Sequence, residues 1–267
     1  MGNRALRITS VILVTFFGLS AAGRGFAIDT SLETVKKAGK LVIACDASYP
    51  PMEFEGKDGK IEGFTADLAR AIGKKMGVEA KFMTMNWDGI LAGLKAKRYD
   101  VIMCTMNVTP ERSKEADFVE YVRLAQVYVV RKGEKVESEK DLPGKIVAVQ
   151  ADTTSYSYVK GLQDKGVKIK EIKAFHMATD VLGALKIKQA DVGVLDEPVG
   201  RYYAKQGGDK SPYVVSGIAM KPEPVGIAIR KTDIALRDEI SKALLAVKAD
   251  GTMKKIEDQW FGGALAK

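Results

Sequence analysis

The sequence predicts an α/β protein with two lobes, each built around a doubly wound sheet, that are joined by a hinge of two strands. Apolar strands alternate with amphipathic helices along most of the chain, which is typical of parallel sheets with right-handed crossovers. A polar segment ending in Pro-Gly, residues 133–144, divides these units into two sets. The 267 residues suffice for two lobes with their own apolar cores.

Residues 1–27 have the pattern of a secretory signal peptide. Arg4 and Arg7 precede the apolar run VILVTFFGL, and the small residues of GRGFA follow it. Cleavage after Ala27, with Ala22 as the alternative, removes 27 of the 267 residues and leaves 240. No later apolar stretch approaches the ~18 residues of a membrane span, and no cysteine stands near the cleavage site to carry a lipid. These features predict a free periplasmic protein.

The charge and the residue types exclude several functional classes. The formal net charge of +8 falls to about +5 when the three leader arginines are removed, since no acidic residue is lost with them. Both signs are interspersed, which is typical of a solvated surface and not of a nucleic-acid-binding stripe. With one histidine and two cysteines, the sequence offers no metal-ligand cluster and no nucleophile triad. We expect no cofactor and no nucleic-acid partner.

The first set of units begins with the strand LVIACD at residues 41–46. The helix TADLARAIGKKMG follows a Pro-rich loop, and Leu68, Ile72 and Met76 form an apolar stripe at helical spacing along it. The strand EAKFMTM then leads to the helical segment WDGILAGLKAKR, and the strand DVIMCTM feeds a helix that begins at Thr109.

The second set begins with the strand KIVAVQ, and ADTTS opens the next helix. IKEIKAF and DVGVLD are further strands, and the segments at 207–217 and 220–231 lead to two terminal helices. The chain crosses between the lobes near 123–127 and returns near 218–224. We therefore assign residues 28–125 with 221–267 to the first lobe and residues 126–220 to the second.

Polar residues follow the apolar strands at four points. Ligands of open α/β sheets bind outside the carboxyl ends of the strands, so we expect these residues to line one cleft between the lobes. They are Asp46 after the first strand, Thr105 and Asn107 after DVIMC, Thr153 and Thr154 after KIVAVQ, and Asp196 after DVGVL.

Arg112 stands three residues after Thr109, where a helix begins. Thr109 is a suitable N-cap and Pro110 suits the first helical position, so the cation opposes the helix dipole. The conflict is resolved if backbone donors and the guanidinium hold one anion together. With an acceptor such as Asp196 on the opposite lobe, the pattern suits an α-amino acid. The alternatives are a surface role for Arg112 and a helix-capping role for Asp196.

Two aromatic residues complete the expected pocket. Two prolines after Tyr49 fix an extended loop, and Trp87 stands at the start of a helical segment. Rings of this kind can stack on a ligand side chain. Asp46 either recognises the end of that side chain or caps its own loop.

The ordered segments DASYPPMEF, GKIEGFTADLARAI, YDVIMCTMNVTPER, VAVQADTTS and ADVGVLDEPV resemble the extracellular solute-binding proteins of family 3, which serve ABC importers of polar amino acids. The resemblance covers essentially the whole mature chain. It implies the bilobal periplasmic-binding-protein fold, a monomer, and a membrane ABC permease that docks on both lobes.

The resemblance also implies a role for each site residue. Arg112 would hold the ligand's α-carboxylate with donors from Thr105, Asn107 and Thr154. Asp196 would hold the α-ammonium, Tyr49 and Trp87 would sandwich the side chain, and Asp46 would contact its polar end. The sequence departs from the family pattern at Met52, Thr65 and Asp152, where Phe, Asp and Gly are common.

Several alternatives stay open. We expect a basic amino acid as the ligand, with glutamine second, and a sensory role cannot be separated from transport. Some relatives of this fold are periplasmic dehydratases of arogenate and prephenate, for which Glu53 or Glu197 would have to act as a general acid. Cys45 and Cys104 form either a disulfide or two buried thiols.

Overall fold

The structure is a computed structural model that describes residues 29–262, so the expected signal peptide lies outside the described residues. Strands and helices alternate as the sequence predicts. The strands are β1 (Lys40–Cys45), β2 (Ser48–Tyr49), β3 (Glu53–Glu55), β4 (Ile61–Glu62), β5 (Glu79–Thr84), β6 (Val101–Ile102), β7 (Ala116–Arg131), β8 (Ile146–Gln150), β9 (Glu171–Phe175), β10 (Val192–Asp196) and β11 (Tyr213–Arg230). The helices are α1 (Ser31–Ala38), α2 (Phe64–Met76), α3 (Ile90–Lys95), α4 (Pro110–Glu115), α5 (Thr154–Asp164), α6 (Ala178–Lys186), α7 (Glu197–Lys205), α8 (Ile234–Ala249) and α9 (Thr252–Phe261).

One mixed sheet of eight strands runs through both lobes. Its strand order is β5-β1-β6-β11-β7-β10-β8-β9. β1 pairs in parallel with β5 and β6 in the first lobe, and β8 pairs in parallel with β9 and β10 in the second. A second, small sheet joins β2, β3 and β4 in antiparallel order.

Two long antiparallel strands, β7 and β11, connect the lobes. Their pairing runs from Ala116 opposite Arg230 in the first lobe to Arg131 opposite Tyr213 in the second. β6 pairs with the first-lobe end of β11, and β10 pairs with the second-lobe end of β7. Register shifts interrupt the pairing between residues 215 and 226 of β11. The sequence predicts two separate sheets, but the structure joins them into one. They are continuous through β7 and β11, the two strands that contain the predicted crossings.

Helix α2 packs on the first-lobe sheet through the stripe that the sequence predicts. Leu68, Ile72 and Met76 are all buried and belong to the same apolar cluster as Ile43 of β1. Gly77 adopts φ +70° at the C-terminal end of this helix, a left-handed conformation that glycine accepts without strain.

Gly63 fixes the loop that leads to α2. Its φ is +117°, and a Cβ atom at this position would lie 2.2 Å from the carbonyl oxygen of Met52. The N–H groups of Phe64 and Thr65 donate to the carbonyls of Pro51 and Met52 at 2.9 and 2.8 Å. The close approach that Gly63 permits therefore ties the segment before Glu53 to the start of α2.

Gly63→Ala should lower the free energy of unfolding by about 3 kcal/mol or more, because the new Cβ atom clashes with backbone and the residue keeps a positive φ. Gly77→Ala is the matched control, since it keeps a positive φ but meets no atom within 4 Å, and it should cost about 1 kcal/mol. Urea denaturation of both variants checks this. Equal losses would contradict the role of the close approach.

Candidate functional site

Four strands direct polar residues into one cavity between the lobes. Asp46 follows β1 and Thr105 follows β6 in the first lobe, while Thr153 follows β8 and Asp196 ends β10 in the second. All four residues line the cavity. The structure thus brings the polar strand ends together as the sequence predicts.

Arg112 lies in the first turn of α4 and reaches across to the second lobe. Thr109 caps this helix, and its Oγ1 accepts the Arg112 N–H at 3.2 Å. The guanidinium donates to the backbone carbonyls of Asn107 and Asp152, at 2.9 Å each. Burial lowers the pKa of Arg112, and the charge of Asp196 opposes that effect. The Thr109 hydroxyl occupies the Arg112 N–H, so this backbone donor is not free to bind an anion.

Asp196 is the buried acidic residue of the second lobe, with 5% of its surface exposed. Its Oδ2 accepts a hydrogen bond from the Tyr49 hydroxyl at 3.0 Å, across the cleft. Burial raises the pKa of Asp196 to about 6, although the hydrogen bond from Tyr49 lowers it. Asp196 stands at the N-cap of α7, but its side chain makes no capping hydrogen bond. The carboxylate therefore faces the cavity, and the capping alternative is wrong for the side chain.

Asp46 lies at another part of the wall and contacts both lobes. Its carboxylate accepts from the Ser48 hydroxyl at 2.7 Å and from Gln150 Nε2 at 3.4 Å. Burial raises the pKa of Asp46, while these hydrogen bonds lower it. The Asp46 N–H donates to Cys104 Sγ at 2.9 Å, and Cys45 and Cys104 are both free and buried. Asp46 thus contacts its own loop and also faces the cavity, and the structure has two thiols instead of a disulfide.

The two aromatic residues each lie against a charged group. Tyr49 bonds Asp196, while the ring of Trp87 lies 5.1 Å from the guanidinium carbon of Arg112. Trp87 Nε1 donates to the Asp152 carbonyl at 3.3 Å. Asp152 adopts φ +55°, a conformation that favours Gly and is tolerated by Asp. Asp152, at a position where the family commonly has glycine, is therefore compatible with this backbone conformation. Its carbonyl accepts hydrogen bonds from two first-lobe donors, Arg112 and Trp87.

Thr153 and Thr154 have different positions. Thr153 lines the cavity and caps α5, accepting the Tyr156 N–H at 3.2 Å. Thr154 does not line the cavity: its hydroxyl lies 3.2 Å from Asn107 Oδ1 and accepts from Gln126 Nε2 at 2.6 Å. Thr154 thus orients two cavity residues from behind the wall.

Three buried polar atoms of the wall have no hydrogen-bond partner among the described residues, namely Glu53 Oε1, Asn107 Nδ2 and Asp196 Oδ1. Asn107 Nδ2 is a donor of the first lobe, and Asp196 Oδ1 is an ionisable acceptor of the second. Buried polar groups are normally hydrogen-bonded because an unsatisfied one is costly. With Arg112 nearby, the wall can receive a carboxylate and an ammonium group at the same time.

Sequence reasoning missed several residues of the cavity wall. The missed lining residues are Cys104, Gln126, Gln150, Ser155, Val194 and Leu195, and Glu53 was considered only as a possible acid. Gln126 and Gln150 are polar side chains within or at the end of apolar strands, and this pattern could have indicated that they face the cavity. Val194 and Leu195 are apolar residues of an apolar strand, so no such pattern distinguishes them.

The lobes are closed on each other. Hydrogen bonds cross from Tyr49 to Asp196 and from Arg112 to Asp152, and an exposed pair joins His176 Nδ1 to Asp88 Oδ2 at 2.5 Å. His176 is a surface residue, with 85% of its side chain exposed. The cavity is therefore bounded by both lobes at once.

Within residues 29–262, no group of three or more His, Cys, Asp or Glu side chains is arranged to hold a metal ion. No helix in the same part of the chain is long and apolar enough to span a bilayer.

The sequence profile of the bacterial extracellular solute-binding proteins, family 3, matches residues 41–263. The L-cystine-binding protein TcyJ of Escherichia coli K12 is 29% identical over all of this chain and 98% of its own length. The ABC transporter arginine-binding protein 1 of the same organism is 31% identical over 84% of this chain and 91% of its own length.

Solved structures of amino-acid-binding proteins have the same fold. An ancestral arginine-binding protein bound to arginine has a TM-score of 0.79 and 37% identity, and covers 84% of this chain and 98% of its own. The ancestral amino acid-binding protein AncCDT-1, a precursor of cyclohexadienyl dehydratase, also has a TM-score of 0.79, with 36% identity over 86% of this chain and 99% of its own.

Tyr49→Phe should raise the pKa of Asp196 above its value of about 6, by roughly one pH unit, because the ionised carboxylate loses a hydrogen bond. Carbon-13 NMR titration of the aspartate carboxyl groups measures this change. Tyr203→Phe is the control, since Tyr203 lies in the second lobe outside the cavity wall. An unchanged pKa in Tyr49→Phe would show that the hydroxyl does not bond Asp196 in solution.

Proposed function

Because the chain belongs to the bacterial extracellular solute-binding proteins of family 3, we propose that it is a periplasmic receptor that binds a polar L-amino acid between its lobes and delivers it to an ABC permease. The observation that carries this proposal is the pair of unpartnered buried atoms, Asn107 Nδ2 and Asp196 Oδ1, on opposite lobes beside Arg112. Their chemistry matches the two charged groups that every α-amino acid carries.

We place the ligand's α-carboxylate on Arg112 and Asn107 and its α-ammonium on Asp196. Buried charges of this kind are costly unless paired, so a zwitterion that pairs with both favours closure. The free energy of ligand binding thus selects the closed arrangement of the lobes. Residues 28–125 with 221–267 move as one lobe and residues 126–220 as the other in this proposal.

The side chain of the ligand points towards Asp46 and Gln150. A carboxylate on one lobe and an amide on the other suit a guanidinium, ammonium or amide group, while Tyr49 and Trp87 supply aromatic surface. Two of the similar proteins are named for arginine, which agrees with a basic ligand. We therefore propose a basic amino acid first and glutamine second.

Delivery requires recognition of the closed form. We propose that the protein acts as a monomer and that an ABC permease contacts both lobes, so that only the closed, loaded receptor presents the complete docking surface. A location in the periplasm follows from the expected signal peptide at residues 1–27.

A second candidate is a cyclohexadienyl dehydratase. Glu53 lines the cavity, and burial raises its pKa to about 8, so its carboxyl group keeps a proton at neutral pH as a general acid must. Glu197 lies outside the cavity and pairs with Arg201 at 2.7 Å. Turnover of arogenate or prephenate by the purified protein would favour this reading over the receptor.

Arg112→Ala should weaken L-arginine binding about 100-fold or more in isothermal titration calorimetry. The loss follows because a buried ligand carboxylate would lose its charged partner, which costs about 2–5 kcal/mol. Arg98→Ala is the control because Arg98 is exposed and lies outside the cavity. Binding by Arg112→Ala within tenfold of the wild type would refute the carboxylate assignment.

Ligand affinity should rise with pH through about 6, because the ammonium group binds the ionised form of Asp196, whose pKa burial raises to about 6. Affinity at pH 5 should be about tenfold below that at pH 7. Asp46→Asn should keep this slope and Asp196→Asn should lose it, which separates the two carboxylates. A flat profile in the wild type would contradict the assignment of Asp196.

A further inference from the structure

Four buried polar side chains from separate parts of the first lobe meet beside the cavity. Glu53 of β3, Thr65 of α2, Thr105 after β6 and Tyr121 of β7 are each at most 5% exposed. The Thr105 hydroxyl donates to Glu53 Oε2 at 2.8 Å. Thr65 lies close enough to lower the pKa of both Glu53 and Tyr121. Glu53 Oε2 therefore bonds Thr105, while Glu53 Oε1, Thr65 Oγ1 and the Tyr121 hydroxyl have no hydrogen-bond partner among the described residues. The ligand contacts proposed above do not use this cluster.

Thr105 is held in an unusual conformation. Its φ is +46°, which is a true outlier for a β-branched residue and persists only where surrounding structure enforces it. The segment that follows is tied to β11, since Asn107 bridges to Val225 and the Val108 N–H donates to the Pro224 carbonyl at 2.8 Å. The hydroxyl bond to Glu53 provides a second tie on the other side of the turn.

This turn positions the donors of the proposed carboxylate site. Asn107 lies two residues after Thr105, and its backbone carbonyl accepts from the Arg112 guanidinium at 2.9 Å. A change in the backbone at Thr105 would therefore move the Asn107 amide and the Arg112 side chain together. Small displacements of binding groups are costly to recognition because the hydrogen-bond geometry is lost.

The chemistry of Glu53 fits a structural acceptor. Burial raises its pKa to about 8, and among residues 29–262 no Lys, Arg or His side chain forms an ion pair with it. A protonated carboxyl group accepts at one oxygen and donates at the other. It can accept from the Thr105 hydroxyl at one oxygen and donate from the other, so Glu53 can be buried without a charge.

We propose that Glu53 is a positioning residue for ligand binding: its carboxyl group holds the Thr105 hydroxyl and thereby fixes the turn that presents Asn107 and Arg112 to the ligand carboxylate. This inference rests on the proposed function. It assigns Glu53 a role in affinity that acts through its hydrogen bond with Thr105.

A double-mutant cycle tests the link between Glu53 and Thr105. L-arginine affinity is measured at pH 7 for the wild type, E53A, T105V and the double variant, with E53Q as the conservative replacement. E53A should weaken binding about tenfold, which corresponds to the loss of about one hydrogen bond. The double variant should bind no more weakly than T105V, and E53Q should restore affinity to within about threefold of the wild type, because an amide oxygen still accepts from Thr105.

Ligand-free unfolding in urea supplies the readout that does not depend on the proposed function. The same cycle should show coupling between Glu53 and Thr105 in the free energy of unfolding. The native pKa of Glu53 lies above its ordinary value of 4.5, so stability relative to E53Q should be highest below about pH 4.5 and fall as pH rises to about 8.

The outcomes separate the two proposals. If the wild type does not bind L-arginine, the basic ligand is wrong, and coupling in unfolding still supports the tie between Glu53 and Thr105. Wild-type binding with additive effects of E53A and T105V on affinity would overturn the inference alone. So would an E53A variant that is less stable but binds L-arginine like the wild type, since Glu53 would then act only on folding.

Discussion

Opposite charges withdrawn from solvent on two separate lobes, with Asp196 buried and Arg112 half-buried, are the constraint on which the rest of the site depends. Burial raises the pKa of Asp196 and lowers that of Arg112, so the surroundings oppose the charge on each residue. Each therefore gains most from a partner of opposite charge that excludes water with it. In the proposed complex the ligand's α-carboxylate pairs with Arg112 and its α-ammonium pairs with Asp196. Closure of the lobes brings both residues into contact with the ligand at the same time.

The sheet topology makes this arrangement possible. Parallel strands within each lobe open their carboxyl ends at one edge, and β7 and β11 hold the two edges opposite each other. The turn after β6 carries Thr105 and Asn107, and the first turn of α4 carries Arg112, so a short segment supplies three groups of the site. The cluster around Glu53 lies behind this turn, which connects affinity for the ligand to packing inside the first lobe.

Local patterns were enough to predict the fold and most of the cavity. An apolar strand that ends in a polar residue identifies Asp46 and Asp196, and the cap at Thr109 identifies the helix that carries Arg112. The contacts of Gln150 could not be predicted in this way, because it meets Asp46 from 104 residues away, and only the closed lobes bring them together. The positive φ of Asp152 explains why glycine is common at this position, and aspartate is among the residues that tolerate this conformation.

The most direct test of the account is a thermal-shift screen of the mature protein against the twenty amino acids, ornithine, cystine and arogenate. A ligand at 100 times its Kd stabilises the folded state by about 2.7 kcal/mol, which such a screen detects. We expect a large shift for basic amino acids, with glutamine next. If no amino acid in the screen shifts the melting temperature, the proposed zwitterion site is contradicted.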